Sequence, residues 1–141
     1  MKLKKDKSQK NLKMQTKTAI DKGVIEEYLY MLPIEVTVRE LLEAIHCVDE
    51  EAKEIWTELD LMEIVLPTDS LIFENMMDTF DTPTDQAFLA AKGVKTVYAV
   101  NYNTKDKEYV KQVLLDIYHA LGGFLASDTE DLEPIFEITE F

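Results

Sequence analysis

Val94-Lys95-Thr96-Val97-Tyr98-Ala99-Val100-Asn101-Tyr102 is followed by a helical stripe and then by Gly122-Gly123-Phe124-Leu125-Ala126, and this stretch decides the fold. The first segment has β-branched and aromatic residues on both of its alternating sets, as expected of a central strand buried on both faces. From about Lys105 to Leu121, Tyr109, Val110, Val113, Leu114, Ile117, Tyr118 and Leu121 recur at helical spacing and predict the longest helix of the chain. Gly122-Gly123 ends it, and Phe124-Leu125-Ala126 reads as a strand. Strand, helix, strand over 94–126 is the pattern of a crossover unit.

Upstream, Met62-Glu63-Ile64-Val65-Leu66 and Leu71-Ile72-Phe73-Glu74 flank Pro67-Thr68-Asp69-Ser70 and predict a β-hairpin, because Pro presets φ while Asp and Ser supply local hydrogen bonds. Downstream, Pro134-Ile135-Phe136-Glu137-Ile138 reads as a closing strand after the loop 127–133. A crossover unit combined with a hairpin gives an α+β class. The expectation is a single domain with a mixed or antiparallel sheet of about four to five strands and helices mainly on one face.

The remaining elements are helical in pattern. Val24, Ile25, Tyr28, Leu29 and Leu32 predict a short helix ending before Pro33, with a strand through Tyr28-Leu29-Tyr30 as the alternative. Thr37-Val38-Arg39-Glu40 has capping-box spacing and predicts a helix with Val38, Leu41, Leu42 and Ile45 on its apolar stripe. A break near Val48-Asp49 predicts a second helix that buries Ala52, Ile55, Trp56 and Leu59. After an irregular connection from Asn75 to Pro83, Thr84 or Asp85 is expected to cap a helix that Gly93 stops. The expected core is Trp56, Leu59, Val97, Val100, Val113, Leu114 and Ile117.

Charge divides the chain. The first twenty-three residues hold eight of the fifteen basic residues and only Asp6 and Asp21 as acids, a net of +6, while the rest carries seven Lys or Arg against twenty-six Asp or Glu, a net of −19. Residues 1–18 have too few apolar groups to offset their ordering entropy and read as a basic disordered tail before an acidic α+β domain at 24–141. A functional anion-binding arm is one alternative, and docking of the tail back onto the acidic body is another. A body with so strong a negative field repels nucleic acid and anionic membrane and favours basic partners.

With 46% apolar residues, the body can bury somewhat less than the ~68–70% of unfolded surface typical of 150 residues, without disulfides. The single cysteine, Cys47, forms no internal bridge, and the Lys-rich start has no apolar signal-peptide core, so the expected setting is the cytoplasm. No apolar run approaches the ~18–20 residues of a membrane span.

Catalytic patterns are thin. Gly122-Gly123 follows a helix instead of preceding one, so no phosphate cradle is expected. His46, Cys47 and His119 are the only residues of the usual nucleophile and base types, and adjacent helical residues point ~100° apart. They read as core or rim histidines and a buried thiol, and one Cys with two distant His make no zinc site. Asp78, Asp81 and Asp85, and the loop Asp128-Thr129-Glu130-Asp131-Leu132-Glu133, are oxygen-rich but lack EF-hand spacing. Neither catalytic residues, nor metal ligands, nor a cofactor are expected.

Three functions follow. The first is a non-enzymatic module of the inhibitor or immunity type that binds a basic protein. Its face comprises Glu50, Glu51, Glu54 and Glu58 on the predicted 49–60 helix, extended by Asp128, Glu130, Asp131 and Glu133. The second is a nucleic-acid mimic that uses the same carboxylates to block a nucleic-acid-binding protein. The third is a small metal-dependent enzyme built on the clustered carboxylates.

Overall fold

A computed structural model describes residues 23–141; the predicted basic tail at 1–18 lies outside them. One seven-stranded sheet carries the fold: β1 (Ile25–Leu32), β2 (Lys53–Trp56), β3 (Leu61–Val65), β4 (Ser70–Asn75), β5 (Thr96–Asn103), β6 (Phe124–Ser127) and β7 (Ile135–Phe136). The order across it is β2-β3-β4-β5-β1-β6-β7, and every neighbouring pair is antiparallel. Among the described residues, three α-helices accompany the sheet: α1 (Val38–Ala44), α2 (Pro83–Lys92) and α3 (Lys107–Leu121). The α+β class holds, with more strands than the four to five expected.

The two extra strands are segments expected first as helices, and for the earlier one the alternative of a strand through Tyr28-Leu29-Tyr30 holds. Residues 25–32 form β1, which lies between β5 and β6, so its last four residues are buried on both faces and lose any helical stripe. β5 and β6 both run antiparallel to β1 and therefore parallel to each other, so the 94–126 unit is a crossover with β1 inserted in its middle. Residues 50–52 form one 3-10 turn, and 53–56 form β2 in place of the predicted second helix. Here the two-residue period wins. Lys53 and Ile55 face inward and Glu54 and Trp56 outward, which avoids the like-charge i,i+4 stacking of Glu50, Glu54 and Glu58. Leu59 falls in the turn after β2, 65% exposed, and Trp56 is half-buried, so neither belongs to the core.

The other expected core positions are confirmed: Val97, Val100, Val113, Leu114 and Ile117 are each at most 1% exposed. α1 and α3 pack on one face of the sheet, over Tyr30, Leu32, Met62, Ile64, Leu71, Phe73, Tyr98, Val100 and Leu125. α2 lies on the other face, where Leu89 packs with Phe80 and Val94 over Leu29, Met31, Val97, Ala99 and Ala126. The capping box on α1 is present as read, with Thr37 and Glu40 bonded reciprocally. α2 starts two residues earlier than expected, since Thr82 accepts the Asp85 amide and Pro83 supplies a preset φ at the first turn. Gly93 ends α2 in a left-handed conformation, and Gly123 is required because a Cβ there would collide with the Tyr30 ring and the Met31 carbonyl.

Candidate functional site

The second face of the sheet is only partly covered. α2 shields the β1, β5, β6 and β7 portion, but neither core cluster includes Trp56, Leu61, Val65 or Ile72, which stand on the β2, β3 and β4 portion of that face. Pairing register builds the surface. Glu54 stands beside Glu63, Glu63 beside Ile72, Ile72 beside Asn101, and Asn101 beside Glu27. One step past the Tyr28–Ser127 pair, Asp128 reaches Glu27, near enough for its carboxyl to act on that of Glu27. A single row across six strands therefore carries four carboxylates in six positions. At ~4.8 Å per strand it is roughly 24 Å wide.

The row consists of two close pairs, Asp128 with Glu27 and Glu63 with Glu54, with roughly 14 Å between Glu27 and Glu63 at strand spacing. Glu74 stands in the next row, between Leu61 and Ala99, and Trp56 ends that row beside Leu61. Ile25 and Val65 flank the surface, 58% and 62% exposed. No Lys or Arg occupies a register position on this face. Lys53, the basic residue of β2, points the other way, its side chain 2% exposed and its ammonium donating to the Ile45 carbonyl and to Glu50, 2.8 and 2.9 Å away. An inward lysine on an edge strand also discourages pairing with another strand.

Electrostatics match the geometry. Partial burial, then Asp128, then Glu74 raise the Glu27 carboxyl above its ordinary range, since removing water and adding like charge both disfavour ionisation. The pair is held together by strand register against its own repulsion. Glu63 is anchored differently, accepting the Ser70 hydroxyl from the neighbouring strand.

The residues expected to form one acidic ridge are dispersed. Glu50 and Glu51 lie in the 3-10 turn, Glu54 on β2, and Glu58 in the β2–β3 turn. Asp128, Glu130, Asp131 and Glu133 occupy the β6–β7 loop, near the opposite edge of the sheet from β2. Asp131 organises that loop internally, accepting the Glu133 amide and the Thr129 hydroxyl at 3.0 and 3.1 Å, and these bonds lower its carboxyl below the ordinary value. Of the eight expected residues, only Glu54 and Asp128 enter the row. Glu27, Glu63 and Glu74 were not anticipated; the signal available for Glu63 was its place in the predicted hairpin strand.

The other candidates resolve into structural roles. Cys47 is exposed, contrary to the buried thiol expected, because α1 stops at Ala44 and the chain leaves the core. Residual burial of its sulfur and the Asp116 carboxylate push the thiol up to about 11, which leaves it a poor nucleophile. Burial works against the Asp116 charge, but the His46 and Cys47 amides at 2.7 and 3.0 Å, with the thiol, hold its carboxyl below the ordinary value. Asp78 and Asp81 are exposed, and Asp85 lies in the first turn of α2. Among the described residues, no three His, Cys, Asp or Glu side chains are placed to hold a metal ion.

A cavity of about 470 Å³ is lined by Glu35, Thr37, Glu40, Asp60, Asn75, Lys95 and Thr96 with Val36 and Met77. Its centre is a latch. Asp60 adopts φ 49°, and its carboxylate accepts the Val38 amide at 2.9 Å and the Asn75 amide and Tyr98 hydroxyl at 2.7 Å each. These bonds tie the β2–β3 turn to the start of α1 and occupy the carboxylate with protein donors. Among the described residues, no helix is long and apolar enough to cross a membrane. Comparison with protein-family models, with curated proteins and with solved structures returns no match to this chain.

Proposed function

We propose that this protein is a non-enzymatic binding module of the inhibitor or immunity type, which receives a basic protein on the open half of its sheet. The observation that supports this reading is the carboxylate row itself, Asp128-Glu27-Asn101-Ile72-Glu63-Glu54, with apolar side chains around it and, among the described residues, no Lys or Arg at a register position on it. Carboxylates that repel one another in the free protein gain when Lys or Arg side chains come between them, so complex formation relieves a cost already present. The partly exposed Trp56, Leu61 and Ile72 supply the apolar contact that a lasting interface requires. Cytoplasmic action suits a lone, unpaired thiol.

Screening sets the shape of the test. At 0.1 M salt the Debye length is ~10 Å, longer than the spacing within each carboxylate pair and shorter than the ~14 Å between pairs, so the two pairs act as separate pads. Reversing one pad weakens association, and reversing both abolishes it. The experiment is affinity capture from the native host with the full-length chain, compared with Glu54→Lys/Glu63→Lys and with Glu43→Lys/Glu108→Lys away from the row. A partner captured as strongly by the row variant as by the parent, or weakened equally in the control variant, would remove the assignment. Turnover of a phosphoester or ester library with added Mg²⁺ and no captured partner would move the function to an enzyme.

A further inference from the structure

We propose that the Lys-rich first twenty-two residues of the same chain are the resting occupant of the open sheet face, so that a basic partner must displace a basic segment supplied in cis. The regulatory half of this proposal rests on the function proposed above; the docking itself does not. The segment and the face are covalently neighbours. Residues 1–22 join the sheet through Gly23 and Val24, and Val24 is fixed to the end of β5 by two bonds with Thr104, 3.0 and 2.8 Å long. Ile25, the next residue, stands on the open face, two positions from Glu27 in the carboxylate row.

Charge and reach both fit. Residues 1–22 carry eight lysines against Asp6 and Asp21, and the face they adjoin carries carboxylates and, among the described residues, no Lys or Arg at a register position. From Ile25 to the β2 edge is four strand spacings, roughly 19 Å, which ~6 extended residues cover. Lys17 and Lys22 are five residues apart in the chain, a separation of at most ~17 Å, so the ~14 Å between the Glu27 and Glu63 pads is within their reach. A short linker gives the cis segment an effective concentration in the millimolar range, so weak individual contacts suffice to occupy the face.

The test is zero-length carbodiimide coupling of the full-length chain, prepared as an equal mixture of ¹⁵N-labelled and unlabelled protein, at ~0.01 M and ~0.5 M salt. The expected result is same-isotope cross-links from Lys17 or Lys22 to Glu27, Glu54, Glu63 or Asp128 at low salt, lost at high salt. Absence of those links, equal coupling to Glu43 and Glu108, or mixed-isotope pairs would overturn docking in cis. A decalysine peptide then probes competition. Full-length Lys13→Ser/Lys17→Ser/Lys22→Ser should bind it more tightly than the parent, and equal affinities would refute a competitive role. Cross-links on the face with no decalysine binding by either protein would uphold the docking and sink the partner reading instead.

Discussion

Replacing Asp60 by alanine should be among the most destabilising single changes outside the apolar core, and its cost can be worked from the latch geometry. The carboxylate accepts three donors: the Val38 amide at 2.9 Å, and the Asn75 amide and Tyr98 hydroxyl at 2.7 Å each. Tyr98 keeps a second acceptor, the Val36 carbonyl at 2.9 Å, and half-buried Asn75 can recover water, so these two losses are partial. The Val38 amide, on a residue 1% exposed, loses its acceptor, and an orphaned buried donor costs ~1–3 kcal/mol. Alanine also tolerates φ 49° less well than aspartate, for about 1 kcal/mol more. The sum is ~3–5 kcal/mol, or roughly 12–20 °C in Tm for a chain of this size. Asp60→Asn, which keeps an acceptor and suits a left-handed residue, should lose least. Asp60→Gly should fall between them, because it relieves the φ but not the bonds. Urea unfolding followed by far-ultraviolet circular dichroism gives the order. A loss below ~1 kcal/mol for alanine, or a glycine variant as stable as the parent, would show that the three bonds do not hold the turn to α1.

Three further outcomes are expected. Ile117→Ala, at a position with no exposure beneath α3, should cost ~2–4 kcal/mol, and an unchanged urea midpoint would remove α3 from the core. Thiolate absorbance of Cys47 should titrate near 11 and move down in Asp116→Asn, since that change removes the charge but neither the partial burial nor a side-chain acceptor; a midpoint unmoved by the substitution would leave the Asp116 charge without a part in it. Glu27 has a folded pKa above its unfolded one, so from about 4.5 upward the native chain binds more protons than the unfolded chain and this group's contribution to stability falls as pH rises. Glu27→Gln should therefore flatten the decline and be more stable than the parent at neutral pH, and a less stable variant would mean that the Asp128 contact is favourable.

Local patterns were readable wherever one element's own residues decide its conformation. Thr37 and Glu40 complete their box within a single turn, the 62–74 hairpin turns on its own Pro and Asp, and Val113, Leu114 and Ile117 share one helical stripe. β1, left open between helix and strand, and β2, expected as a helix, were obscured for opposite reasons. β1 lies between two strands in the middle of the sheet, so both of its alternating sets become apolar toward its end and the period of two disappears. β2 is four residues long, too short for two turns of alternation to outweigh the glutamates that surround it and imitate a charged helix face. Losing those two strands lowered the strand count and moved Leu59 into a core it does not join.

The carboxylate row was beyond a reading of segments, because none of its neighbours is close in sequence except through the two hairpin turns that join β2, β3 and β4. Glu27 and Asp128 are a hundred residues apart, and what brings them together is the insertion of β1 between β5 and β6, which sets both registers at once. Charge density along the chain pointed instead to residues 49–58 and 128–133, where most of the acids are turn residues facing water in different directions. A period of two also means that a one-residue slip of β1 would send Glu27 into the α1–α3 core and Tyr28 onto the open face. The apolar residues Tyr28, Tyr30 and Leu32 therefore fix the position of the acids as firmly as they fix the core. If the row is the binding surface, its specificity is written in the hydrophobic side of the strands that carry it.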